Sequence, residues 1–191
     1  MPETNATLVD EARAAVRGLL ALLTGDRTAS RHFTFTQAGL VSSFIALLVA
    51  TAVELIASTA MGGAGMFVGL VQQVILYGAI IGASAIYLRQ IGRSDALVPF
   101  VVTLNWSNAI LSLVMLLTLV LGLRFLGIIF LVAGLVLSIN IARLVMTLKP
   151  MQIVLLIIAQ AVGLVAAILV LLVLFPLSPD EMAALSAAAG S

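Results

Sequence analysis

The sequence contains no cysteine and a single histidine, His32. Without cysteine the chain forms no disulfide, offers no thiolate nucleophile and supplies no sulfur ligand to a metal ion. One histidine by itself does not make a metal site, because such a site needs several ligands. We therefore expect no metal site and no cofactor.

Charge is also scarce, since only 9% of the 191 residues are charged and the formal net charge is +1. A soluble domain carries about 25% charged residues, so the chain lies outside that class. The near-neutral balance gives no positive field for a nucleic acid, which we exclude as a partner. The sequence has no G-x-S-x-G, no H-E-x-x-H and no phosphate-binding loop. We expect no catalytic residues and no enzymatic activity.

Apolar residues make up 63% of the chain, and most of them fall in five long runs. At about 1.5 Å of rise per residue, each run is long enough to cross a hydrocarbon core of about 30 Å as a helix. The sequence thus predicts an all-α integral membrane bundle of five transmembrane helices, with the lipid bilayer as its surroundings. The break around Arg124 is either a loop or a kink in one long hairpin. The predicted spans are residues 38–59, 67–88, 98–121, 126–146 and 151–175.

A shorter helix is predicted before the first span, from Thr7 to Thr24. Its apolar residues recur at helical spacing, so we expect an amphipathic helix that lies on the membrane surface or packs on the bundle. No cleavable signal peptide is expected, because the first long apolar run begins only at Ala38. The predicted organisation is a cytoplasmic helix and link (1–37), a five-span domain (38–176) and a flexible extracytoplasmic tail (177–191). The apolar stripe consists of Leu8, Ala12, Val16, Leu19, Leu20 and Leu23.

The lysines and arginines are distributed unevenly between the two sides of the predicted bundle. Eight of the nine lie before the first span or in the second and fourth connections, and only Arg124 lies on the other side. Positive charge is retained on the cytoplasmic side of membrane proteins. The sequence therefore predicts a multi-pass protein of the cell inner membrane, with its N-terminus in the cytoplasm and its C-terminus outside.

Glu54 is the one carboxylate inside a predicted span. Charged groups are costly in lipid, so its position is informative. It shares a helical face with small residues, and Arg124 lies at a similar depth. We expect Glu54 to pair with Arg124 or to be protonated, and the functional alternative is a carboxylate that handles protons or cations.

Amide and phenol side chains inside the spans form a second group of candidates. Asn105 and Asn108 lie on one face of the third helix, because they are three residues apart. These polar groups either hydrogen-bond between helices or line a polar cavity for a substrate, and we favour the first interpretation. The candidates are Gln73, Tyr77, Asn105, Asn108, Asn140 and Gln160.

Small residues recur at four-residue spacing in several spans. Such patterns allow two helix backbones to approach closely in lipid. They do not distinguish packing within the chain from contact with a second copy. The pairs are Gly65 with Gly69, Gly78 with Gly82, Gly134 with Ser138, and Ala159 with Gly163.

Three segments resemble the bacterial, alphaproteobacterial-type branch of the Yip1 domain proteins. They are R-H-F-T-F-T-Q-A-G-L before the first span, Y-L-R-Q-I-G-R at the end of the second, and L-N-W-S-N in the third. The resemblance covers residues 8–175 and implies a five-span membrane protein without known enzymatic activity. Eukaryotic members are linked to vesicle traffic and small GTPases, but this chain lacks their long cytoplasmic N-terminal region.

Two functions are compatible with these observations. The first is a structural or scaffolding membrane protein that acts through helix–helix contacts with a second copy or another membrane protein. The alternative is a small permease or transporter subunit that uses Glu54 and an intramembrane polar cavity.

Overall fold

A computed structural model describes residues 7–62, 65–123 and 126–176. Within these ranges the chain is helical and has no β-strand. Two 3₁₀ turns, Ala29–His32 and Ser94–Ala96, and one π turn, Ile141–Val145, stand between helices. The α-helices are α1 (Leu8–Thr24), α2 (Gln37–Ala60), α3 (Met66–Gln90), α4 (Leu97–Val120), α5 (Gly127–Asn140) and α6 (Pro150–Leu174).

Five helices are long and apolar enough to cross a membrane, which indicates a multi-span membrane protein. They confirm the predicted all-α bundle, and each coincides closely with one predicted span. The fourth span combines α5 with the π turn. Between α4 and α5 the chain leaves the helix at Gly122, whose φ is 74°. The break is therefore a turn between two helices and not a kink in one, although Arg124 itself lies outside the described ranges.

Helix α1 is present as predicted, and its ends follow known capping rules. The Thr7 hydroxyl accepts from the Asp10 backbone N–H, and the Asp10 carboxylate accepts from Thr7 in return. These hydrogen bonds hold the pKa of Asp10 below its usual value. The helix ends at Gly25 in the left-handed conformation, with φ 72°, as expected for a residue without Cβ.

One face of α1 packs against the end of the bundle where α2 begins. Ala15, Gly18, Leu19 and Leu22 are buried there. A Cβ on Gly18 would lie 2.6 Å from the Phe33 ring, so a larger residue here would require that ring to move. Of the predicted apolar stripe, Leu19 is buried, whereas Leu8, Val16 and Leu20 are exposed. That α1 lies on a membrane surface stays a prediction.

The two ends of the bundle differ in packing. We call the end that carries α1, the α3–α4 connection and the π turn the α1 end, and the other the far end. The largest fully buried apolar side chains, which include Leu22, Leu88, Ile141 and Met146, lie at the α1 end. Arg93 joins two connections there, since one Nη donates to the Met146 carbonyl at 2.8 Å. The hydrophobic core therefore sits at the α1 end.

Four of the five spanning helices form two closely packed pairs, α2 with α4 and α3 with α6. In the α3–α6 pair, a Cβ on Gly163 would lie 2.9 Å from the Ala83 Cβ and 3.1 Å from the Ala79 carbonyl oxygen. A Cβ added to Gly78 or Gly82 would meet no heavy atom of another helix within 4 Å. The contact with α6 thus uses the alanines of α3, and contacts between the two pairs are sparser.

Candidate functional site

A cavity of about 570 Å³ lies in the seam between the two helix pairs, and we call it the Glu54 cavity. Glu54 lines it from α2, Gln73 and Tyr77 from α3, and Asn108 and Ser112 from α4. Three helices therefore contribute their polar side chains to one space. Four of the predicted candidates come together here.

A second cavity of about 360 Å³ adjoins the first, and we call it the Gln160 cavity. Its polar lining comes from Ser107, Asn108, Ser138 and Gln160, and the rest is apolar. The two cavities have lining residues in common, among them Asn108 and Ile80. The seam therefore carries polar groups continuously from Gln160 to Glu54.

Asn105 joins three helices beside the Glu54 cavity. Its side chain is fully buried. The Asn105 Nδ2 donates to the Ser43 hydroxyl on α2 at 3.1 Å, and the Tyr77 hydroxyl on α3 donates to its Oδ1. An interhelical hydrogen bond in lipid is worth roughly 0.6 kcal/mol. The expected interhelical bonding thus occurs at Asn105, and it fixes Tyr77 at the cavity wall.

Gln160 makes the corresponding link in the other pair. Its Nε2 donates to the Ser84 hydroxyl at 2.9 Å, and that hydroxyl donates to the Ile80 carbonyl at 2.7 Å. Ser107, which lines the same cavity, is only 3% exposed. Its hydroxyl has no hydrogen-bond partner in the described ranges. A buried hydroxyl without a partner is unfavourable, so a bound polar molecule would gain by contacting it.

One predicted site residue, Asn140, does not line either cavity. Asn140 lies at the end of α5, where its Nδ2 donates to the Leu22 carbonyl of α1 at 2.7 Å. The same carbonyl also accepts from the Gly25 backbone N–H at 3.1 Å, so Asn140 adds a second bond that ties α5 to the end of α1. Arg124 lies outside the described ranges, so its pairing with Glu54 stays a prediction. Among the residues that are described, no basic side chain forms a salt bridge with Glu54.

The sequence argument missed two residues of the Glu54 cavity, Thr51 and Phe130. Thr51 precedes Glu54 by three residues and follows Leu47 by four, so helical spacing contained the signal. Phe130 carried none, because an aromatic residue in an apolar span is ordinary. For the described part of the chain, no three His, Asp or Glu side chains cluster as metal ligands would.

Comparison with known proteins identifies no relative. No family model matches the chain, and no curated protein or solved structure is recognisably similar to it. The site is therefore interpreted from its own residues.

Proposed function

We propose that this multi-span membrane protein binds a small polar solute in the seam between its helix pairs, as a permease or transporter subunit does. The observation that carries the proposal is the Glu54 cavity, in which Glu54, Gln73, Tyr77 and Asn108 meet. Polar and ionisable groups in lipid are costly and usually mark a substrate or ion pathway. Of these four side chains, only that of Tyr77 forms a hydrogen bond with another described residue, so bonding between helices does not account for the other three.

The arrangement of the helices supports the same proposal. Transporters commonly bind their substrate near mid-membrane, between two helix groups that rock against each other. Here the α2–α4 and α3–α6 pairs are each closely packed, and both cavities lie where the pairs meet. A rocking motion would therefore open the seam without breaking either pair.

A cysteine-accessibility experiment tests whether the seam admits solutes. The chain has no native cysteine, so each variant carries a single reactive thiol. Ser112→Cys places a thiol in the Glu54 cavity, whereas Val114→Cys places one on an exposed apolar face of the same helix. Thiols react as thiolates, which form in water and not in lipid. We expect a membrane-impermeant maleimide to label Ser112→Cys about tenfold faster or more, since each pKa unit changes the thiolate population tenfold. Equal rates for the two variants would refute the proposal.

A second candidate function is scaffolding through helix contacts with a second copy of the chain. It is favoured by an open, mostly apolar groove of about 680 Å³ along α3 and α6. Small residues line the groove, among them Gly82, whose Cβ position is unoccupied by neighbours. A helix of another copy could approach closely at such a stripe.

We further propose an orientation and a family. The protein lies in the cell inner membrane with its N-terminus in the cytoplasm. This orientation is supported by the eight lysines and arginines that fall at or near the α1 end.

The proposed family is that of the bacterial Yip1 domain proteins. It is supported by the segments 31–40, 87–93 and 104–108 and by the five spanning helices. An experimental structure of an established bacterial member with a different order of helix packing would contradict the family proposal.

A further inference from the structure

We infer that the solute is a small organic monocation with an apolar body. This inference rests on the proposed function of the Glu54 cavity and names the chemical class that the cavity selects.

The sign of the charge comes from Glu54. It is the only carboxylate in α2 to α6, and the other polar groups that line the cavity are the neutral side chains of Thr51, Gln73, Tyr77, Asn108 and Ser112. When ionised, Glu54 places one negative charge among neutral groups, where it attracts a single positive charge and repels anions. The cavity is therefore complementary to a monocation.

The cavity wall favours an organic cation over a divalent metal ion. Ca²⁺ takes six to eight oxygen ligands, and Mg²⁺ requires near-octahedral oxygen coordination. The Glu54 cavity offers one carboxylate among mostly apolar residues, and two of its lining residues are the aromatic Tyr77 and Phe130. Aromatic faces bind alkylammonium groups through the ring quadrupole. One carboxylate with two aromatic rings thus fits an ammonium group that carries hydrocarbon.

The volume and the neighbouring cavity indicate where the apolar body would lie. At about 570 Å³, the Glu54 cavity falls in the range of small-molecule pockets, about 300–1,000 Å³. The adjoining Gln160 cavity has no charged lining residue, and its walls include Phe100, Leu104 and Leu135. The unpartnered Ser107 hydroxyl provides one hydrogen-bonding group there. A cation bound at Glu54 would therefore extend its uncharged end past Asn108.

Protection of Ser112→Cys from maleimide labelling tests the inference on the full chain in lipid nanodiscs. The probes are benzyltrimethylammonium and its neutral carbon isostere neopentylbenzene, which have the same shape and differ in charge. We expect the cation to slow labelling and Glu54→Gln to raise the half-protecting concentration about tenfold or more, as loss of a close charge pair does. The matched control Glu11→Gln removes the same charge from α1 and leaves protection unchanged.

The outcomes separate the inference from the proposed function. Equal protection by both probes, or protection by the cation that survives Glu54→Gln, overturns the inference and leaves a solute-accessible seam. A standing ion pair with Arg124 would give the first result, because the paired carboxylate would leave the cavity without a net charge. If Ser112→Cys is not labelled at all, the proposed function fails together with the inference. Retained gel-filtration and circular-dichroism profiles show that Glu54→Gln is folded.

Discussion

At the scale of single residues, Asn105 and Asn108 show that the surrounding side chains decide the role of an intramembrane amide. Both are asparagines on one face of α4, and the sequence assigns them the same two alternatives. Asn105 is fully buried and bonded to Ser43 and Tyr77. Asn108 lines both cavities and makes no hydrogen bond to another described residue's side chain or backbone through its amide group. The first position holds helices together, and the second is available to a ligand.

The helix glycines differ in the same way and allow a matched stability prediction. Gly163→Ala is expected to lower the free energy of unfolding by about 1–3 kcal/mol, the usual cost of overpacking. The added Cβ would lie 2.9 Å from the Ala83 Cβ and 3.1 Å from the Ala79 carbonyl oxygen, so α3 and α6 must shift apart. Gly82→Ala, with no atom within 4 Å, is expected to change it by less than about 0.5 kcal/mol. Unfolding titrations in mixed detergent micelles measure both variants, and equal stability would show that the α3–α6 approach is looser than described.

At the scale of elements, α3 presents small residues to two different neighbours. Ala79 and Ala83 contact Gly163 of α6, whereas Gly78 and Gly82 have open space beside them. The scaffolding candidate depends on this second stripe, because glycines separated by four residues allow a further helix to approach. The face of α3 that carries Gly78 and Gly82 therefore decides whether this helix also contacts a second copy of the chain.

Self-association of the purified chain tests the role of that face. If the scaffolding candidate holds, Gly82→Ile is expected to convert dimers to monomers, because the branched side chain fills the space that a second helix needs. Ala52→Ile is the control, since Ala52 is an exposed small residue on α2 that lines none of the cavities. Sedimentation in density-matched detergent measures the molecular mass. A wild-type chain that is monomeric at all concentrations would exclude scaffolding by self-association.

For the whole molecule, the uneven distribution of charge supports the proposed orientation. Arg93 and Lys149 lie in connections at the α1 end, and Arg13, Arg17, Arg27 and Arg31 lie in or just after α1. A membrane protein that inserts with most of its positive charge on one side keeps that side in the cytoplasm. Both cavities would then lie between a basic, closely packed cytoplasmic end and a less buried outer end.

Reporter fusions check this orientation. A reporter active only outside the cytoplasm, fused after Ser191, is expected to be active, and the same reporter inserted after Lys149 is expected to be silent. In the sequence, the two positions are separated by one helix that is long and apolar enough to span, α6, so we expect them on opposite sides. Activity of a cytoplasm-only reporter at Ser191 would contradict the orientation and the number of spans together.

The sequence by itself determined the five spans, their approximate ends and the short connections. This was possible because lipid offers no hydrogen-bond partners to backbone N–H and C=O groups, so each span must be one continuous apolar helix. Local composition is therefore sufficient to locate the spans. Pro150 at the start of α6 is a local signal of the same kind. The one carboxylate among the spans, Glu54, was equally evident.

Only the tertiary structure decided which helices pair, which amides bond and where the cavities lie. The spans are apolar on every side, so periodicity does not reveal which face meets a neighbour. The α2–α4 and α3–α6 pairs, and the bond from Asn140 to Leu22, join residues far apart in sequence. Their contacts depend on shape matching between side chains and not on a hydrophobic stripe. The Glu54 cavity exists because these pairs leave a seam, and that property belongs to the assembled bundle.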